Sequence, residues 1–261
     1  MEYGVYDRLM DQSAAAKRNK KRMDKATVAG PRPKVVREVC SRLAQAYGSP
    51  RLGNPRHPLD DLIFIIASNR TGPTVASRVY ASLRQRFRSW NELATVNSKE
   101  LEAILAPAGL ASKRAKHLIG IAKRLRQDFG RVTLAPLGGD STAAIEEYLT
   151  SLPGVSEKVA KCVLLYGFGR RVLPVDVHVH RVAGRLGWHA HKRADQSHAT
   201  LEAVVAAPQR YGFHTNAIAL GREVCKPVPL CSACLLVEFC ETGRKLGRTR
   251  RGGYRKGSTA P

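Results

Sequence analysis

Acidic side chains are scarce in this chain of 261 residues: 21 aspartates and glutamates stand against 44 lysines and arginines, a formal net charge of +23. That imbalance exceeds what solubility requires and points to a polyanionic partner. No apolar run approaches the roughly 20 residues needed to cross a bilayer, and the N-terminus lacks the apolar core of a secretory signal. The two absences favour nucleic acid over a membrane and lead to an expected intracellular location. The alternating pattern of a half-buried strand is also missing. Cysteine is sparse, yet four of the six fall between Cys225 and Cys240. In a reducing compartment such clustering favours metal ligation over disulfides.

What is present is enough apolar material, 43% of residues, for one large domain or two small ones sharing a cleft. Apolar residues recur at steps of three and four in Val35–Tyr47, Leu59–Ala67, Val75–Phe87, Ala115–Phe129 and Ile145–Leu152. Gly72-Pro73, Pro107 to Gly109, Gly130, Pro153-Gly154 and Pro174 interrupt this pattern, so the helices are many and short. The expected fold class is all-α. Residues 1–32 carry Lys17, Arg18, Lys20, Lys21, Arg22 and Lys25 with few large apolar groups and read as a flexible basic arm. Residues 243–261 form a second basic tail. Both are read either as solvated surface or as nonspecific phosphate contacts.

Two segments, Gly109 to Ala115 and Gly154 to Ala160, share glycine, an aliphatic residue, lysine and alanine at matching places. Each reads as a tight turn opening a helix, where glycine admits a positive φ and the first N–H groups can meet a phosphate oxygen. In the second, a helix ends at Pro153-Gly154 and another begins at once. Taken alone, Lys158 is a surface lysine touching phosphate, and Asp176 is the N-cap of the helix carrying Val179, Val182, Ala183 and Leu186.

The stretch from Leu152 to Val179, continuing to Arg181, resembles the endonuclease III family of helix-hairpin-helix DNA glycosylases, and the resemblance extends from about Leu59 to Cys240. It implies a helix-hairpin-helix glycosylase fold with two helical lobes: a barrel over 58–178, and a cluster domain built from 33–57 and 179–242, with DNA in the cleft between them. It also implies that Lys158 is the amine that attacks the sugar C1′ to form a Schiff base, leading to β-elimination, and that Asp176 stabilises the cationic sugar and assists proton transfer. An unperturbed lysine titrates near ~10.4, so a depressed affinity for the proton is expected at Lys158. The residues expected at DNA are Leu152, Gly154, Val155, Ser156, Asn69, Arg70, Leu110 and Lys113. Among them Asn69 takes the family's gap-filling place and Leu110 that of its apolar wedge. The chain departs from the family pattern at Asn69, usually glutamine, and at Gly72, often aspartate. It departs again at Ser156, usually glycine, at Glu157, which brings an acidic residue into the hairpin, and at Val177, usually threonine.

Cys225, Cys231, Cys234 and Cys240 form C-x5-C-x2-C-x5-C. Four thiolates on one short loop can enclose a cubane cluster, and tetrahedral zinc is the alternative. The family resemblance implies a 4Fe-4S cluster of structural role, with the first spacing one residue shorter than usual. Cys40 and Cys162 sit in helical apolar patterns and read as buried, unligated thiols. The irregular spacing of His178, His180, His189 and His191 argues for ordinary positions rather than a metal site.

The expected protein is a monomeric, cytoplasmic, nucleoid-associated glycosylase and lyase acting on double-stranded DNA with damaged bases or abasic sites. It removes oxidised pyrimidines. A mismatch or adenine glycosylase on the same scaffold, and a noncatalytic DNA-binding or redox-sensing protein, remain the alternatives.

Overall fold

The computed structural model describes residues 30–251, with side chains as far as 246; nearly all of the expected basic arm, and the tail beyond 251, lie outside the described residues. Among the described residues the regular structure is helical and no strand occurs. The α-helices are α1 (Pro33–Tyr47), α2 (Pro58–Ser68), α3 (Pro73–Arg86), α4 (Ser98–Leu105), α5 (Ala111–Phe129), α6 (Thr142–Ser151), α7 (Glu157–Tyr166), α8 (Val177–Arg185), α9 (His198–Val204), α10 (Arg210–Glu223) and α11 (Glu241–Arg251). Short 3-10 turns connect several of them. The first part of the C-terminal basic tail is thus helical.

The helix starts follow from local chemistry. Pro33, Pro58 and Pro73 open α1, α2 and α3, where the missing N–H costs nothing and the fixed φ suits the first turn. Asn97, Ser141, Ser156 and Asp176 cap α4, α6, α7 and α8 through side-chain oxygens.

Helix α2 is apolar on nearly every face, as a helix enclosed by its neighbours must be, and buries Leu59, Leu62, Ile63, Phe64, Ile65 and Ile66. Each such side chain contributes about 1.5–3 kcal/mol. One apolar cluster runs from Leu59 to Val172 and takes in α2 to α7. A second joins Val36, Val39, Cys40 and Leu43 of α1 to residues from Leu173 onward on α8, α9 and α10, ending at Leu236. The chain passes from one cluster to the other between Val172 and Leu173, shortly before Asp176.

Close approach of α7 to α2 depends on Gly167, the residue after α7. A Cβ there would lie 2.6 Å from Cα of Pro58, the first residue of α2. No larger residue fits, and the contact brings the side chains of α2 alongside those of α7.

Candidate active site

The hairpin joins α6 to α7. Gly154 adopts φ +76°, and a Cβ at this position would fall 2.2 Å from Nδ1 of His117 on α5. Left-handed backbone and packing therefore both require glycine. Leu152 and Val155 are 2% and 7% exposed, so these two side chains serve the core, and of these two residues only the backbone is left for phosphate contact. Ser156 has φ −87° and ψ 165°, and its Oγ accepts from the N–H of Val159 at 3.4 Å. The serine at the family's second glycine position thus needs no left-handed backbone. It caps the helix that carries Lys158.

Lys158, in the first turn of α7, and Asp176, at the cap of α8, line one open cleft of about 720 Å³ together with Asn69, Arg70 and Ser156. Leu110 and Lys113 are not part of its lining. Oδ1 of Asp176 accepts from the N–H groups of His178 and Val179 at 2.9 and 2.8 Å, so the carboxylate is both helix cap and cleft wall. Val177 follows it, 65% exposed at the mouth of the cleft.

The electrostatics of Lys158 reverse the sequence expectation. Its proton affinity is raised rather than depressed: Cys162 contributes most, through charge and a hydrogen bond, and Asp176 and Asp61 add to it against the opposing effect of desolvation. Lys158 is held as an ammonium in the free protein. Cys162, one turn further along α7, is a site residue that the sequence reading left as a plain core thiol; burial pushes it up to about 11. Lys161, the other lysine of the hairpin helix, is 5% exposed and paired with Glu146, Glu202 and Glu157 at 3.2, 3.2 and 3.9 Å. Those three partners make it structural and leave Lys158 as the amine facing the cleft.

Behind the cleft, Tyr166 packs edge-on to Tyr211 and against His214, with ring centres 6.0 and 5.8 Å apart. His214 is buried, Nδ1 lies 2.8 Å from the carbonyl of Pro174, and burial holds its imidazole neutral.

Two exposed segments carry backbone strain. Arg70 and Leu110 adopt φ +63° and +53°, in the left-handed region that costs a non-glycine residue about 1–3 kcal/mol. Leu110 is 67% exposed. Both are anchored by Arg114, which the sequence reading did not single out. Its guanidinium, 6% exposed, donates to the carbonyls of Ala67, Asn69 and Ala108 and to Oγ1 of Thr71.

His180, His189 and His191 stack, with ring centres 4.5 and 5.8 Å apart, and bond to Ser197, the His180 carbonyl and Thr200. His178 lines the cleft and accepts from Arg181.

The cysteine loop follows α10. Cys225 is buried, while Cys231, Cys234 and Cys240 are half-buried. Burial raises the thiols of Cys234 and Cys240, and the other loop cysteines add to the effect. Arg185 of α8 donates to Sγ of Cys225 at 3.2 Å and to the carbonyls of Lys226 and Pro227, and Arg181 donates to the carbonyl of Cys225 at 2.7 Å. The N–H of Gly243 reaches Sγ of Cys240 at 3.4 Å. An all-sulfur donor set with N–H donors aimed at it suits a soft metal centre. The side chains are not gathered to ligating distance: among the described residues no group of three or more His, Cys, Asp or Glu side chains is placed to hold a metal ion. No described helix is long and apolar enough to cross a membrane.

Residues 63–207 match the family described as HhH-GPD superfamily base excision DNA repair protein, more than half of the chain, and the chain belongs to that superfamily. Within it the kinship is with endonuclease III among the DNA glycosylases. Endonuclease III of Thermotoga maritima is 29% identical over 215 residues, which cover 82% of this chain and 96% of that protein. The fold matches a trapped endonuclease III–DNA covalent intermediate with TM-score 0.73 at 24% identity, over 84% of this chain and all of that one. It also matches a thermostable thymine-DNA glycosylase with TM-score 0.69 at 21% identity, over 81% and 98% of the two chains.

Proposed function

We propose that this base excision repair glycosylase removes an oxidised pyrimidine from double-stranded DNA and then cleaves the abasic site by β-elimination, with Lys158 as nucleophile. The observation that carries this reading is that Lys158 and Asp176 line the same cleft, beside a hairpin whose backbone can hold phosphate. The amine of Lys158 attacks C1′ as the base leaves, its proton being lost, and the Schiff base forms when the C1′–O4′ bond breaks, the sugar ring opens and O4′ takes up a proton. Removal of a C2′ proton then expels the 3′ phosphate. Asp176 holds negative charge beside the cationic sugar, and its position is fixed by the two N–H groups of α8.

Flipping the base leaves a gap in the stack, at a cost of a few kcal/mol. Asn69 and Arg70 reach it from the loop after α2 and Leu110 from the loop before α5. All three are exposed. Lys113, Gly154 and Ser156 complete the DNA-facing set, while Leu152 and Val155 contribute backbone only.

We further propose that Cys225, Cys231, Cys234 and Cys240 hold a 4Fe-4S cluster. When bound, it supplies structural cross-linking of the loop, next to Arg222 on the cleft lining. Iron and acid-labile sulfide analysis of purified protein separates this cofactor from zinc.

Borohydride trapping on a duplex with an abasic site tests the Schiff base: wild-type protein forms a covalent adduct and Lys158→Ala forms none. Incision by Lys158→Ala at the wild-type rate would remove Lys158 from its assigned role. A duplex panel bearing thymine glycol, dihydrouracil, uracil, T:G and A:8-oxoguanine pairs, assayed with and without alkali, ranks substrates and separates excision from strand cleavage.

A further inference from the structure

The segment that carries Asp176 has no helix or strand of its own. Residues 169–176 run from α7 to α8 without regular structure, and within them the chain passes from one apolar cluster to the other. Side chains take up the backbone polar groups instead. The N–H of Leu173 donates to Oε1 of Glu202 on α9 at 2.8 Å, and the carbonyl of Leu173 lies 3.4 Å from Nδ1 of His198 on the same helix. The carbonyl of Pro174 meets Nδ1 of His214, and that of Arg171 accepts from Nη1 of Arg210 at 2.7 Å. The same guanidinium donates to the carbonyls of Glu202 and Val205 at 2.6 and 3.1 Å, which fastens the end of α9 to the segment. A crossing chain whose backbone groups are paired in this way is held in one place.

Glu202 differs from the other three side chains in what else it holds. Its Oε1 also accepts from Nζ of Lys161 on α7 at 3.2 Å, and that lysine is 5% exposed. One oxygen therefore joins the nucleophile helix to the segment that leads to the catalytic carboxylate. Lys161 stands three residues after Lys158, and Leu173 three residues before Asp176. Neither Glu202 nor Lys161 lines the cleft, so the bridge acts through these elements and not on DNA.

Attack at C1′ needs the amine, the sugar carbon and the carboxylate in one arrangement, and a misplacement of about 1 Å costs on the order of a hundredfold in rate. We propose that Glu202 is a positioning residue for the lyase step, the bridge that sets the separation of Lys158 and Asp176. Its charged partner makes the bond to α7 one of the stronger kind. The proposal rests on Lys158 and Asp176 being the catalytic pair. Glu146 of α6 supplies the comparison: it pairs with the same Nζ at 3.2 Å, but has no hydrogen bond to residues 169–176.

The test is the single-turnover cleavage rate on an abasic duplex at saturating protein, well below the melting temperature, together with the Kd for a duplex carrying an uncleavable abasic analogue. Glu202→Ala should fall at least roughly tenfold in rate while its Kd stays within about twofold of wild type. Glu202→Gln, whose amide oxygen can accept both bonds, should recover most of the rate. Glu146→Ala removes an equal charge from Lys161 but leaves the bridge, and should cleave at the wild-type rate whatever its melting temperature. A charge cluster that only stabilises the fold would lower both melting temperatures and slow neither reaction. Should Glu202→Ala not fold, Glu202→Asp, one methylene too short to span Lys161 and Leu173, takes its place with the same expected fall. Wild-type rates in the folded Glu202→Ala or Glu202→Asp variant would overturn the proposal. So would equal slowing in Glu146→Ala, a slow Glu202→Gln, or a Kd that weakens in step with the rate. Loss of trapping in Lys158→Ala alongside any of these overturns the bridge alone, whereas trapping retained in Lys158→Ala removes the nucleophile on which it rests.

Discussion

Nη2 of Arg114 donates to the backbone carbonyl of Asn69 at 2.7 Å, and the same nitrogen reaches the Ala108 carbonyl at 3.1 Å. One buried guanidinium therefore ties the loop after α2 to the loop that presents Leu110, the two segments assigned to the gap left by a flipped base. Arg114→Ala leaves several buried carbonyls unpaired and is expected to cost about 2–4 kcal/mol in chemical denaturation. Arg114→Lys, with a single point of donation, should recover only part of that and should weaken binding to a duplex carrying an abasic analogue.

Gly154 tests the hairpin. Gly154→Ala faces both a left-handed φ and a collision with His117, so a loss of about 2 kcal/mol or more is expected, with weaker DNA binding. Adding His117→Ala relieves the collision and leaves the φ penalty. Stability of the double variant should lie between wild type and Gly154→Ala; full recovery would show that the backbone conformation is unimportant.

The two tasks of Asp176 can be separated by choice of substitution. Asp176→Asn keeps an oxygen for the N–H groups of His178 and Val179 and should change stability by less than about 1 kcal/mol, while cleavage at an abasic site falls by about a hundredfold or more. Asp176→Ala removes the cap as well and should cost a further ~0.5–2 kcal/mol of stability. Equal melting temperatures for the two variants would refute the cap.

Stability should depend on pH from two opposite sides. Burial, then Lys161, disfavours the charged form of His198 and pushes it down to about 4, and burial, then Lys158, lowers His214 against the pull of Asp176. The unfolded chain binds protons at these histidines below about 6.5 and the folded one does not, so stability is lost as pH falls from there toward 4. Asp61 works the other way: its folded carboxyl keeps a proton up to about 8 whereas the unfolded group releases it near 3.8, so stability is lost as pH rises between those values. Urea denaturation of wild type should therefore weaken on both sides of a maximum near pH 6–7. Asp61→Asn should abolish the alkaline decline, on the order of a few kcal/mol.

Much of this was legible in the chain. The helices follow from apolar spacing and from prolines and caps that act within a few residues, and Lys158 and Asp176 stand in one continuous segment whose hairpin residues announce it. Asp61, Cys162 and Arg114 carry no such local mark. An aspartate in the first turn of α2 reads as ordinary N-terminal charge, and its relation to Lys158 exists only because Gly167 lets α7 lie close to α2; Cys162 reads as core although it stands one turn from Lys158 on α7. The direction of the Lys158 shift depends first on Cys162 and then on carboxylates that arrive from the cap of α8 and from α2. Ser156, where the family usually has glycine, keeps an extended backbone and is an unstrained cap.

Helix α8 has a consequence for how the two ends of the molecule answer to each other. It is nine residues long, about 13 Å, with Asp176 capping one end while Arg181 and Arg185 near the other grip the cysteine loop. The cap that fixes the Asp176 carboxylate and the arginines that hold the cysteine loop thus belong to one short element, and the loop and the cleft share a single anchor.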